Sequence, residues 1–162
     1  MNAYKWLVDN LKNLKGESKK EKGLNIAVVL DPGAKMPTRA HELDAGYDLY
    51  SREDATVYQS AGGKFDTGVH IEIPAGYVGF IKSKSGLNAM YGIQAEGVID
   101  AGYTGSINVL LRNHGPRAVE IKKGQKIAQL VILPIITPEL EVVDSLEETE
   151  RGNNGFGSTG KF

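Results

Sequence analysis

From Leu24 onward the chain offers one apolar run after another, and glycine or proline cuts each of them short. Ile26, Val28 and Leu30 alternate until Asp31-Pro32-Gly33, and Val69, Ile71 and Ile73 until Pro74-Ala75-Gly76. The near-continuous run Ile127–Leu133 stops at Pro134. Apolar residues at every second position give a strand one core-facing side, and Gly/Pro clusters are the usual boundaries of such strands. Further strands are read over Tyr77–Ser83, Ile107–Arg112 and Val119–Lys122, with polar turns at Ser83-Lys84-Ser85-Gly86 and Asn113-His114-Gly115-Pro116. A last short strand is read at Val142 and Val143, and the only helical turn of this region at Leu87–Tyr91. Glycine numbers 20 in 162 residues, well above the ~7% of average proteins, and so many turns imply many short strands. The pattern predicts an all-β sandwich or barrel.

The two ends read differently. Met1, Tyr4, Leu7, Leu11 and Leu14 recur at helical spacing, with Trp6 and Val8 beside them, up to Gly16, a helix C-cap residue. Glu17–Gly23 is charged and has nothing to bury, so it reads as a linker. Six lysines against three acids make residues 1–23 locally basic. The helix either docks on an unknown partner or a membrane surface, or packs on its own domain or oligomer. Near the other end, Glu139–Glu150 holds six acids and no base, a solvated face. Arg151–Phe162 is too rich in glycine to hold itself in one conformation. The expected division is a helix and linker over 1–23, a β core over 24–150 and a glycine-rich C-terminal arm over 151–162.

Several function classes fall away. A net charge of -1 gives no electrostatic case for nucleic acid as the main partner. Absence of cysteine excludes disulfides, thiolate chemistry and Cys-ligated zinc. No apolar run approaches the ~20 residues of a membrane span. The N-terminus lacks the apolar core and cleavage site of a signal peptide, so a cytoplasmic setting is expected. His41, His70 and His114 are isolated, without an H-x-x-H pair, and are read as surface or loop residues.

The chemistry concentrates in a few stretches. Gly97–Gly105 sets three glycines around one carboxylate, Asp100, and one phenol, Tyr103. It is either a rigid hairpin presenting a small-molecule site or a turn whose Asp caps its own backbone. The terminal glycines match part of a dinucleotide fingerprint and part of a P-loop, but both need a following helix, and the sequence stops two residues after Gly160. Their donor chemistry survives: glycines bare N–H groups, Ser158 and Thr159 add hydroxyls, Arg151 and Lys161 add charge, and Phe156 offers a ring for stacking. Ser83–Gly86 is a second donor-rich turn, Gln129 a polar group in an apolar strand, and Asp48 a carboxylate in a glycine-flanked one.

Taken in order, Ala45–Tyr50, Ser83–Leu87, Gly97–Gly105, Lys123–Leu130 and Arg151–Gly160 resemble the five ordered motifs of the trimeric dUTP diphosphatase (dUTPase) family, across roughly residues 24–160. The resemblance implies a jelly-roll β-fold, a homotrimer with active sites at subunit interfaces, and Mg²⁺-dependent hydrolysis of dUTP to dUMP and pyrophosphate. It makes Asp100 the general base for the water that attacks the α-phosphorus. It also implies that Tyr103 packs on the deoxyribose and rejects a 2′-hydroxyl, and that the backbone from Gln94 through Gly97 to Val98 reads uracil. Lys84, Ser85, Gly86 and Gln129 would hold the α- and β-phosphates, with Asp48 behind them. Arg151, Gly157, Ser158 and Thr159 would grip the γ-phosphate, with Phe156 over the base. Mg²⁺ is expected on phosphates and waters, with no direct protein ligand. The sequence departs from the family at Lys84, where many members carry Arg, at Gln94 for Asn and at Asn154 for Gly. The competing expectations are a dCTP deaminase of the same superfamily and a regulatory binding protein on the same scaffold.

Overall fold

The computed structural model describes residues 25–154. The expected N-terminal helix and the arm residues Phe156, Gly157, Ser158 and Thr159 lie outside the described residues. Within them, the alternating runs become ten strands and one short helix. The strands are β1 (Val28–Leu30), β2 (Gly46–Tyr50), β3 (Ala55–Val57), β4 (Gly62–Asp66), β5 (Val69–Ile71), β6 (Tyr77–Ser83), β7 (Ile93–Ile99), β8 (Asn108–Asn113), β9 (Val119–Ile121) and β10 (Lys126–Pro134), with α1 (Ser85–Tyr91) between β6 and β7.

Six strands pair in the order β2-β10-β6-β7-β8-β4, and β1-β5 and β3-β9 form two-stranded ladders. Every ladder is antiparallel. β10 is central because it is the longest apolar strand: it lies between β2, with Gln129 opposite Asp48, and β6, with Gln129 opposite Lys82. The period-two side chains meet in one core containing Leu49, Phe65, Ile81, Ile107, Leu111, Ile121 and Leu130. The result is the expected all-β, jelly-roll-like fold. Among the described residues no helix is long and apolar enough to cross a membrane.

The structure departs from the sequence reading in four places. β3 and β4 carry no clear alternation, since Gly62, Gly63 and Lys64 interrupt it; β4 forms because it pairs along β8 and buries Phe65. Val142 and Val143 make no strand, because the chain leaves the sheet at Pro134 and both side chains stay exposed. Ser83–Gly86 is not a free turn, since β6 runs through Ser83 and α1 starts at Ser85. His70 is no loop residue but the centre of β5, half-buried.

The helix ends where a left-handed residue is needed. Gly92 (φ 69°) donates its N–H to Asn88 O at 2.8 Å, and a Cβ there would come 2.7 Å from the Gly115 nitrogen. Leu130 is fully buried at the middle of β10, so Leu130→Ala is expected to cost about 2–5 kcal/mol from lost burial and the cavity left behind. A drop of that size in urea-unfolding free energy, with an unchanged far-UV spectrum, is the outcome to look for.

Candidate active site

Strand β7 changes partner halfway along. Ile93–Ala95 pair with Leu111–Asn113 of β8, whereas Glu96–Ile99 pair with Gly79–Lys82 of β6. Over the same span Asn108–Leu110 of β8 pair outward with Lys64–Asp66 of β4. Beyond Ala95 and Leu111 the hairpin is therefore splayed, and its two inner edges face each other without a ladder. Ser83 marks the branch point: its hydroxyl donates to Ala95 O (3.2 Å) and accepts from Ala95 N (2.9 Å), replacing a backbone pair with a side chain.

Asp100 follows β7 directly. Its carbonyl accepts the Tyr103 N–H at 3.1 Å, closing a turn that needs positive φ at Gly102 (87°). Tyr103 folds back so that its hydroxyl donates to Ser106 O at 3.0 Å. Its ring lies over Gly105, where a Cβ would come within 2.7 Å of the ring's Cζ. The Asp100 carboxylate stays exposed at a cavity of about 210 Å³ lined by Val98, Ile99, Asp100, Tyr103 and Asn108. Gln94 sits one step inside the paired part of the hairpin, opposite Arg112, with its side chain exposed.

A second cluster surrounds Asp48. Its carboxylate is almost wholly buried (residue 4% exposed) and meets Lys84 Nζ at 2.6 Å and Lys126 Nζ at 2.7 Å. Burial works against the charged form, but hydrogen bonds and attraction from Lys126 and Lys84 outweigh it, and the Asp48 pKa is lowered. Donation to Asp48 in turn raises the pKa of Lys126. Gln129 donates Nε2 to Ser83 O at 3.1 Å, and its amide occupies the space a Cβ on Gly46 would need. Ser85 and Gly86 open α1, whose first turn carries no acidic residue, so its free N–H groups face no competing carboxylate. Arg151 is exposed in a turn after the core, with Nε donating to Asn154 O at 3.2 Å.

The chain thus brings Asp48, Lys84 and Gln129 together beside Ser85 and Gly86, and Gly97, Val98, Asp100 and Tyr103 together on the splayed hairpin. It does not bring these two groups to each other. Ile99 pairs with Gly79, five residues before Lys84, which follows β6, so at ~3.3 Å per residue Asp100 lies roughly 17 Å or more from Lys84 and Ser85. Gln129, opposite Lys82 and so two strands from Glu96, comes nearer the hairpin. The sequence reading overlooked Lys126. It lies in the fourth motif-like stretch, but its importance depends on a strand pairing that places it beside Asp48.

A family model for dUTPase matches residues 33–160. The chain belongs to the dUTPase family. It is 43% identical over 136 residues to the deoxyuridine 5′-triphosphate nucleotidohydrolase of Clostridium tetani, a match that covers 82% of this chain and 94% of that relative. Its fold is similar to the dUTPase of Staphylococcus bacteriophage 80alpha solved with dUpNHpp, with a TM-score of 0.80, 34% identity and coverage of 85% of this chain and 99% of the other. It is also similar to a mutant dUTPase of the S. aureus phage phi11, solved to show the coordination of a structural Mg(II) ion, with a TM-score of 0.71, 32% identity and coverage of 76% and 99%. Against other dUTPases the N-terminal 24 residues stand outside both the matched family region and the described structure.

The Asp48 cluster yields a stability prediction with a definite sign. Its pKa is lowered from 3.8, so its contribution is present above the unfolded value and is lost as pH falls through the lower folded value. Asp48→Asn should lose roughly 1–3 kcal/mol at pH 7, the loss of hydrogen bonds from two ammonium groups to a buried carboxylate. The gap from the unsubstituted protein should narrow as pH falls below 3.8 and through the lowered folded value. Paired urea titrations at pH 7 and pH 2.5 would measure it.

Proposed function

We propose that this chain hydrolyses dUTP to dUMP and pyrophosphate, and that it does so as a Mg²⁺-dependent homotrimer in the cytoplasm. The observation that carries the reading is Asp100: an exposed carboxylate on a closed turn, at the mouth of a splayed hairpin and three residues from an aromatic ring. A carboxylate so held takes a proton from water as the water oxygen attacks the α-phosphorus. The bond from that phosphorus to the bridging oxygen breaks, and pyrophosphate leaves.

The surrounding groups supply binding and selectivity. The backbone from Gln94 to Val98, whose inner edge is free of β8 beyond Ala95, carries amide and carbonyl groups for the uracil edge, and the narrow gap to β8 excludes thymine's methyl. Tyr103 stacks on the deoxyribose and leaves no room for a 2′-hydroxyl. Ser85, Gly86 and Gln129 hold the α- and β-phosphates, while Lys84 and Lys126 add positive charge and Asp48 fixes both lysines. Arg151, Gly157, Ser158 and Thr159 close on the γ-phosphate with Phe156 over the base, which excludes water. Among the described residues no group of three or more His, Cys, Asp or Glu is arranged to hold an ion. The residues present fit a Mg²⁺ carried by phosphate oxygens and water, which supplies charge neutralisation to the triphosphate when bound.

Two features support self-association. One phosphate cannot reach Ser85 and Asp100 of the same copy, but can lie between copies. Ile136, Leu140, Val142 and Leu146 extend from the core with 84–100% of their surface exposed, an apolar ribbon suited to a neighbouring copy.

Pyrophosphate release from dUTP, UTP, dCTP and dTTP with Mg²⁺ tests the reading, and release from dUTP alone is expected. Ammonia from dCTP would instead place the chain with the deaminases, and silence with all four would leave a binding protein. Asp100→Asn should lower kcat at least ~100-fold while dUTP affinity, read by calorimetry, changes little. Removal of residues 151–162 should abolish turnover but leave the oligomer intact by light scattering; retained kcat would show that the arm is dispensable.

A further inference from the structure

Behind the Asp100 turn lies a charged network that the proposed reaction does not use. His70 is flanked in β5 by buried Val69 and Ile71, so strand alternation turns its ring away from the core. Its Nδ1 lies 2.8 Å from Thr104 O and its Nε2 lies 3.3 Å from Asp31 Oδ1. Arg52 Nη1 joins Asp31 (3.2 Å) to Asp66 (2.7 Å), and Asp66 accepts hydrogen bonds from the Ser106 hydroxyl and from Gly68 N. Thr104 and Ser106 are thereby pinned at two points, one by an imidazole and one by a carboxylate.

Ser106 is held further, since its carbonyl accepts from Asn108 Nδ2 at 2.9 Å and the next residue, Ile107, donates its N–H to Val69 O at 2.8 Å. His70, by contrast, is the one side chain bonded to Thr104 among the described residues. A cavity of about 560 Å³ opens between Ala27, Val29, Ile71, Glu72 and Thr104, with Asp31 and His70 on its wall. Tyr103 is bonded to this same segment at both ends, through the peptide to Thr104 and through its hydroxyl to Ser106 O. A shift of Thr104 therefore moves the ring.

We propose that His70 is a positioning residue for Tyr103: by holding the Thr104 carbonyl it fixes the wall that separates deoxyribose from ribose. The proposal rests on the dUTPase reading given above. It carries a pH dependence, because both ring nitrogens face acceptors, and a neutral imidazole has one N–H while an imidazolium has two. The charged groups around the ring are Asp31 and Glu72 beside it, with Asp66 behind Asp31 and Arg52 between the two carboxylates. The hydrogen bond to Thr104, opposed by burial and reinforced by Asp31 and Asp66, raises the His70 pKa above 6.5. A raised folded-state value means that the doubly bonded pin is complete at lower pH and is lost as pH rises through that value.

The test reads selectivity and structure separately. In the full chain, the ratio of kcat/KM for dUTP to that for UTP is measured from pH 5.5 to 9. In the ligand-free protein, the His70 ring and the amides of Tyr103 to Ser106 are followed by NMR over the same range. The expected result is a His70 midpoint above 6.5, loop amides that shift with that midpoint, and selectivity that declines on its basic side. His70→Ala should lower the selectivity ratio about five- to tenfold, the loss of one hydrogen bond, and should flatten its pH profile. His70→Gln, whose amide donates to Thr104 at every pH, should restore the ratio without the pH step. A folded His70→Ala variant with unchanged selectivity and pH profile would overturn the proposal. So would loop amides indifferent to His70 titration in the unsubstituted protein, a measurement that stands even if the variant fails to fold. Absence of dUTP turnover would overturn the activity reading, and the loop amides would then decide the pin by themselves.

Discussion

The site exists because β7 cannot pair with one neighbour along its whole length. Its first half completes a ladder with β8 and its second half a ladder with β6, while β8 turns outward to β4. Buried backbone groups left unpaired are costly, so an antiparallel hairpin opens only where a substitute or a ligand is available. On the other edge of β7, where the ladder with β6 gives out, the Ser83 hydroxyl bonds both polar atoms of Ala95 in place of a backbone pair. Further out, among the described residues, the edge from Glu96 to Ile99 that faces β8 carries no ladder.

The phosphate side follows from a different constraint. Asp48 is buried on a strand beside the central β10, and a lone carboxylate there would be strongly disfavoured. Lys84 and Lys126 converge on it from the ends of two neighbouring strands. Their ammonium groups lie within reach of 3 Å or less of one carboxylate, so their positions are fixed before any ligand arrives. Preorganised charge stabilises a polyanion without the cost of ordering two long side chains at the moment of binding. Lysine in place of the arginine common at position 84 keeps this charge and gives up the bidentate fork. The second lysine on the same carboxylate partly offsets that change.

What the sequence disclosed depended on whether the signal was local. The strands Val69–Ile71, Tyr77–Ser83 and Lys126–Pro134 announced themselves because period-two alternation and Gly/Pro punctuation lie within a few residues. Asp100 and Tyr103 stood out for the same reason, since the tight turn that presents them is written in adjacent glycines. Strand β4 was silent because its stability comes from β8, 42 to 50 residues away from the pair Asp66–Asn108 to the pair Gly62–Arg112. Lys126 and His70 were silent because their partners, Asp48 and Asp31, are brought close only by strand pairing. Nothing in the composition of Val28–Leu30 says that it will lie beside Val69–Ile71 and carry Asp31 to an imidazole. Val142 and Val143 failed in the other direction: β-branched residues alone make no strand when no edge is offered to them.

The distribution of paired and unpaired carboxylates gives the two halves a common logic. Asp31 and Asp66 share Arg52, and Asp48 holds two lysines. Each of these carboxylates is committed to holding backbone or cations in place. Asp100 carries no ion pair among the described residues, and its backbone, not its carboxylate, is used to close the turn. A general base must be fixed in position and yet unengaged at its reacting atom. Here position is supplied by Gly102, by the β7–β6 ladder and by the anchored segment after Tyr103. The carboxylate itself is left to solvent. The charge network behind the turn and the lysines around Asp48 therefore absorb the structural work, and the carboxylate of Asp100 is left unengaged among the described residues, as the proposed general base requires.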